Sequence, residues 1–144
     1  LFFLGAIIVS LCVFGLADKI IALCYGEHYQ SSGLILSIHI CASLFIFQRA
    51  IFSKWLIMTN LLPYSLLTHG FGAVSNLLLN WLFIPAYGGV GAAWATLISY
   101  ACASYFALFL SKQTRPFAFM MTKSMLQWPI ILFSYVKELR FKHV

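Results

Sequence analysis

The chain has 144 residues, of which 62% are hydrophobic and 8% charged. A soluble domain of this size cannot hide so much apolar surface, because small domains leave a large share of their residues at the boundary with water, so lipid is the expected solvent for most of it. The net charge of +6 does not point to nucleic acid, since the basic residues neither cluster on a polar domain nor interleave with stacking aromatics on one.

Crossing a hydrocarbon layer of ~30 Å takes about 20 helical residues. Four stretches reach that length or come close to it. The first, 1–17, ends at Asp18 and Lys19. It opens at Leu1 inside an apolar run, with no initiator Met or basic region before it, so it does not read as a signal peptide. The chain is therefore expected to be part of a longer protein. The second span, 33–58, follows Ser31 and Ser32 as candidate N-caps. The third, 62–85, has Pro63 in a first-turn position and Pro85 at its exit. The fourth is 89–110. Strands are not expected, because each run is far longer than a strand and none alternates apolar with polar residues. The short connections after the second and third spans predict antiparallel neighbours.

Beyond residue 111 the composition changes. The tail "KQTRPFAFMMTKSMLQWPIILFSYVKELRFKHV" mixes cations with Phe, Met and Trp, and Pro129 interrupts its most apolar part. It reads as a basic amphipathic segment lying on the membrane surface. The expected fold class is thus all-α, a polytopic membrane helix bundle of about four spans with an interfacial C-terminal tail. With four spans, Lys112, Arg115, Lys123, Lys137, Arg140 and Lys142 share one side, toward which Arg49 and Lys54 also lie. The other side holds Lys19 as its one cation, beside Asp18 and Glu27. Positive-inside asymmetry then puts the tail in the cytoplasm and 18–32 outside. Tyr25, Tyr29, Trp81, Tyr87 and Trp94 fall near the outer boundary, and Trp55 and Tyr64 near the inner one, as aromatic belts do.

The run GGVGAA at 88–93 superficially matches a dinucleotide fingerprint, but the position that needs a third small residue is Trp94, and no acidic residue occurs between Glu27 and Glu138. A membrane reading accounts for it better. Gly91, Ala95, Ser99, Ala103 and Ala107 recur every four positions and form one narrow helical stripe, suited to close approach of a neighbouring helix in lipid.

Polar residues mark a second kind of face. On the third span Ser65, His69, Gly72, Asn76 and Asn80 fall within about a quarter of the helix circumference. The second span adds His39, Gln48, Arg49, Ser53 and Lys54. Arg49 lies about 14 Å from its helix end, too deep to snorkel, and no intramembrane carboxylate is present to neutralise it. It therefore needs either a partner outside this sequence or a wet cavity with an anionic substrate. Arg49, Gln48, His39, His69, Asn76 and Asn80 are the cavity candidates. Asn76 and Asn80 serve interhelical hydrogen bonding as readily as cavity lining, and His39 and His69 serve as satisfied packing residues in the absence of an acidic neighbour.

Catalysis has little to work with. Asp18, Glu27 and Glu138 are the only carboxylates, all outside the expected spans, and neither H-E-x-x-H nor G-x-S-x-G occurs. Cys12, Cys24, Cys41 and Cys102 lack metal-ligand spacing and read as small hydrophobes. No enzyme activity, cofactor or metal is expected.

The stretch "NLLLNWLFIPAYGGVGAAWATLISY", 76–100, resembles the C-terminal part of polysaccharide (O-antigen) flippases of the multidrug/oligosaccharidyl-lipid/polysaccharide exporter superfamily. There a helix bearing N-x-x-x-N ends in an I-P-x-Y-G turn and a helix opening G-A-A-x-A-T follows. Upstream, "ADKIIALCYGEHYQSSGLIL" is similar to a helix connection of the same family. The resemblance covers about 16–111 and implies a twelve-helix, two-lobe transporter of which this chain is the last part, its N-terminal lobe lying elsewhere in the protein. It implies movement of an undecaprenyl-pyrophosphate-linked oligosaccharide across the bacterial inner membrane by alternating access, with membrane lipids and other polysaccharide-assembly proteins as partners. A drug or lipid-linked peptidoglycan exporter of the same superfamily, or part of an integral-membrane glycan polymerase or transferase, are the competing readings.

Overall fold

A computed structural model describes the backbone of residues 2–142 and the side chains of 3–127, 129, 130 and 133. The chain is an all-α helix bundle, with no strand among the described residues. Its helices are α1 (Phe2–Tyr25), α2 (Ser32–Cys41), α3 (Ser43–Met58), α4 (Pro63–Ser104) and α5 (Arg115–Lys142), joined in part by short 3-10 turns at Glu27–Tyr29 and Phe106–Phe109. Among the described residues three helical stretches are long and apolar enough to cross a membrane: Phe3–Tyr25, Ser32–Met58 and Pro63–Phe109. The outward side chains agree with a lipid surrounding, since Leu66, Leu77 and Trp81 are each more than 70% exposed.

α1 and the α2–α3 pair run antiparallel. Asp18, near the end of α1, lies against Gly33 at the start of α2, where any side chain would collide with its carboxylate. Nearer the middle, Ser10 Oγ donates to the Ile40 carbonyl at 3.2 Å and lies 2.8 Å from Ser43 Oγ. This contact falls at the joint where the expected single helix 33–58 is divided. Ala42 keeps helical angles (φ −64°, ψ −21°), but its N–H bonds to the His39 carbonyl three residues back. The ladder tightens by one residue where a hydroxyl from another helix engages its carbonyl. α3 then ends in a Schellman cap: Asn60 takes φ 55°, Leu61 N–H reaches Leu56 O at 2.9 Å, and Asn60 N–H reaches Ile57 O.

α4 is a hairpin of two arms. Gly88 has φ 55° and ψ −132°, a region open to glycine alone, and Pro85 removes a helical donor just before it. The second arm packs back on the first: Gly91 sits on the Phe83 carbonyl, and Gly72 faces Ala103 and the Ser99 carbonyl. Gly91, Ala95, Ser99 and Ala103 are all buried along this seam, and Ala107 is buried just beyond it. Ala95 is 0% exposed. Ala95→Leu should therefore force the packed helices apart at a cost of about 1–3 kcal/mol and lower the amount of protein recovered from membranes. Normal accumulation of that variant would rule out a packing role.

The apolar stretch continues to Phe109, close to the expected 110, but its α-helical geometry ends at Ser104 and a 3-10 turn, Phe106–Phe109, carries it on. Tyr105 leaves helical geometry (φ −128°, ψ −62°). Past it the Tyr105 and Ala107 carbonyls accept backbone N–H groups of the 3-10 turn, and those of Leu108 and Phe109 accept from side chains of the next segment. Thr114 Oγ1 donates to Leu108 O at 2.7 Å and Arg115 Nε to Phe109 O at 2.9 Å. The expected surface segment follows as α5, and its first turns run back along α3. Phe117 packs against both Phe52 and Trp55, with ring centroids 5.1 and 5.3 Å away, and those two rings stack on each other at 6.1 Å. Ala118 and Met121 complete an apolar cluster with Leu56 and Leu108, and Gln48 Nε2 donates to Ser124 Oγ at 3.4 Å. The side chains of Lys137, Arg140 and Lys142, counted in the charge asymmetry, lie outside the described residues.

Candidate functional site

Arg49 is carried by α3 into the angle between α3 and the two arms of α4. Its Nη1 donates to Thr68 Oγ1 at 2.6 Å and to the Ala103 carbonyl at 3.3 Å, and its Nη2 to Ser65 O at 3.3 Å and Ser65 Oγ at 3.4 Å. One guanidinium thus joins three helical segments, which lysine's compact ammonium could not do with the same geometry. The Phe52 ring lies 5.2 Å below the guanidinium carbon, within cation–π range. The side chain is 9% exposed, its Nε has no partner, and among the described residues every hydrogen-bond acceptor around it is neutral.

Beside this cluster an open groove of about 370 Å³ runs between the arms of the hairpin. His69, Ala73 and Asn76 line it from the first arm, and Thr96, Ser99 and Tyr100 from the second. Gly72 and Ala103 meet across its floor. The groove exists because these facing residues are small: their backbones approach closely while the longer polar side chains project from either flank. Ala103 connects the two features, its carbonyl accepting from Arg49 while its side chain lines the groove. Thr68 and His69 do the same one residue apart, the first bound to Arg49 and the second facing the groove. A positive charge with no counter-ion among the described residues therefore stands behind a wall that offers hydroxyl, amide and imidazole groups.

The candidates from sequence are only partly brought together. Asn76 lines the groove and accepts from Asn80 Nδ2 at 2.9 Å, so the two amides pair along one helix instead of bridging two. The Asn80 Oδ1 is buried without a partner. Gln48 is buried on the other side of α3, facing Ser124 of α5. His39 lines a separate pocket with Tyr25 and Tyr29 at the far end of α1. Ser53 Oγ donates to the Arg49 carbonyl one turn back, and Lys54 is exposed. The residue that sequence reasoning passed over is Thr68, the shortest contact of Arg49. It is one helical turn from Ser65, and that i, i+3 spacing is the signal that could have found it.

The arrangement can bind polar and anionic groups. Arg49 and the groove offer donors, acceptors and a charge; among the described residues no carboxylate joins them and no cluster suited to a metal ion occurs. No protein-family model matches the chain, and neither a curated protein nor a solved structure is significantly similar to it.

Proposed function

We propose that the chain is the C-terminal part of a flippase for lipid-linked oligosaccharides in the bacterial inner membrane, and that the α4 groove is part of the wall of its transport cavity. The observation that carries this reading is a guanidinium with no counter-ion among the described residues, behind a polar groove between the two arms of an apolar stretch long enough to cross a membrane. A charge held at such depth costs about 2.5–3.5 kcal/mol on insertion scales, and intramembrane charges of this kind mark substrate pathways. An anionic pyrophosphate headgroup supplies the missing negative charge, and hydroxyl, amide and imidazole groups suit the sugars attached to it. The resemblance of 76–100 to O-antigen flippases supports the same substrate class. The basic tail then lies in the cytoplasm, and 18–32 faces the opposite side.

The test is complementation. Full-length protein expressed in bacteria lacking their own O-antigen flippase should restore surface glycan for at least one glycan background. Asn76→Leu and His69→Leu, which change partly or fully exposed groove residues, should reduce restoration several-fold at unchanged protein level. Correct insertion with no restoration in any background would defeat the oligosaccharide assignment, and drug resistance in its place would move the chain to an efflux role.

A further inference from the structure

A second pocket, remote from Arg49, lies where α1 ends and α2 begins. It measures about 360 Å³, within the range of ~300–1,000 Å³ typical of small-molecule sites. Ile21, Ile35 and Leu36 supply its apolar surface. Tyr25, Tyr29, Ser32 and His39 supply two phenols, a hydroxyl and an imidazole. The two tyrosine rings meet edge to face, with centroids 6.3 Å apart and planes at 61°, and Tyr29 is further propped by His28 at 5.5 Å. Both phenols stay largely exposed, at 67% and 53%. Among the described residues, none of the four polar side chains lining the pocket makes a hydrogen bond within the chain, so their donors and acceptors are available to a ligand.

The lining selects by charge and by shape. It includes no lysine, arginine or carboxylate, so a phosphate or ammonium group would enter without a counter-ion. An acyl chain would fill the aliphatic surface but leave the four polar groups unused. A molecule with one C–H face and a rim of hydroxyls uses both parts, and a pyranose ring has that form. We propose that this pocket binds a neutral pyranose, stacked on tyrosine and hydrogen-bonded at its edge by Tyr25, Tyr29, Ser32 and His39. The proposal rests on the reading of the chain as a carrier of glycans and adds a sugar site at the end of the bundle opposite the α3–α4 turn. In that reading the pocket holds the uncharged sugars while the Arg49 side of the bundle attends to the charged headgroup.

Saturation-transfer NMR on the full-length protein in lipid nanodiscs tests it, with methyl β-glucopyranoside, methyl β-galactopyranoside, methyl N-acetyl-β-glucosaminide and glucose 1-phosphate as probes. At least one neutral glycoside should receive saturation, strongest on the C–H protons of one ring face, and glucose 1-phosphate should receive less. The Tyr25→Ala/Tyr29→Ala variant should lose roughly ten-fold in affinity, the scale of truncating an aromatic anchor. Tyr29→Phe should keep the stacking component and most of the binding. Because both tyrosines are exposed, the variants should insert normally, which is checked on the same nanodisc preparation. No transfer to any neutral glycoside, preference for the phosphate, or equal transfer in the double alanine variant would overturn the pocket assignment. Failure to restore surface glycan with saturation transfer intact sinks the transport reading alone, and the reverse pattern sinks the pocket alone.

Discussion

Arg49→Met should leave the amount of full-length protein in the membrane within about two-fold of wild type while reducing glycan export to background. The stability half of this expectation follows from opposing terms of similar size. Removing the guanidinium deprives the Ala103 carbonyl of its donor, a loss of about 1–3 kcal/mol for a buried acceptor. It also removes a buried charge that costs about 2.5–3.5 kcal/mol to insert, and apolar replacements of buried charges are often neutral or stabilising. Thr68 does not lose its hydrogen bonding, since its hydroxyl can still donate to Tyr64 O or Ser65 O, at 2.9 and 3.1 Å. Methionine matches the length of the stem and keeps a contact with Phe52. The export half follows from the missing counter-charge: among the described residues no other cation lines or backs the groove to attract an anionic headgroup. Arg49→Lys retains the charge but cannot fork among Thr68, Ser65 and Ala103, so it should retain part of the export. Immunoblots of membrane fractions beside surface-glycan staining separate the outcomes. A proportional fall in protein and glycan would make Arg49 a structural strut, and full export by Arg49→Met would remove its charge from the mechanism.

What could be read from the residues alone was local, and what could not depended on a distant helix. The α4 hairpin is encoded within one stretch, with Pro85 and Gly88 at the bend and small residues at Gly91, Ala95, Ser99 and Ala103 along the returning arm. The polar face of the first arm was legible through spacing, because His69 and Asn76 are seven residues apart and so share a side of the helix. The division at Ala42 had no glycine or proline to announce it, since Ser10 of α1 reaches the Ile40 carbonyl there. The change to a 3-10 turn after Ser104 was also unannounced, with no glycine or proline near it, and the Leu108 and Phe109 carbonyls there are capped by Thr114 and Arg115, which lie later in the chain. Gln48 and Arg49 are adjacent in sequence, yet one faces α5 and the other α4, because successive helical positions point about 100° apart. The docking of Phe117 against Phe52 and Trp55 was the least visible, as a mixed basic and aromatic segment has the same composition on a bilayer surface or against a helix.

Gly72→Ala should lower protein abundance, and Ala103→Gly in the same chain should restore it. A methyl group at position 72 would lie 2.5 Å from Ala103 Cβ, whereas its next neighbours, Ala103 Cα and Ser99 O, are at an ordinary 3.5 Å. The conflict is therefore with one removable methyl. Alanine gains about 1 kcal/mol over glycine in helix propensity, but overpacking of about 1–3 kcal/mol opposes it at a seam with no slack. Moving the methyl from the second arm to the first keeps the packed volume constant, so the pair should be coupled by about 1–2 kcal/mol in a double-mutant cycle. The backbone carbonyl of residue 103 survives the exchange and still accepts from Arg49, so glycan export should recover with abundance. Gly91→Ala provides the contrast. Its methyl would strike the Phe83 carbonyl, which is backbone, and truncating Phe83 cannot relieve it. A normal level of the Gly72→Ala single variant, or rescue of Gly91→Ala by Phe83→Ala, would show that the two arms do not approach this closely, and the groove between them would lose its floor.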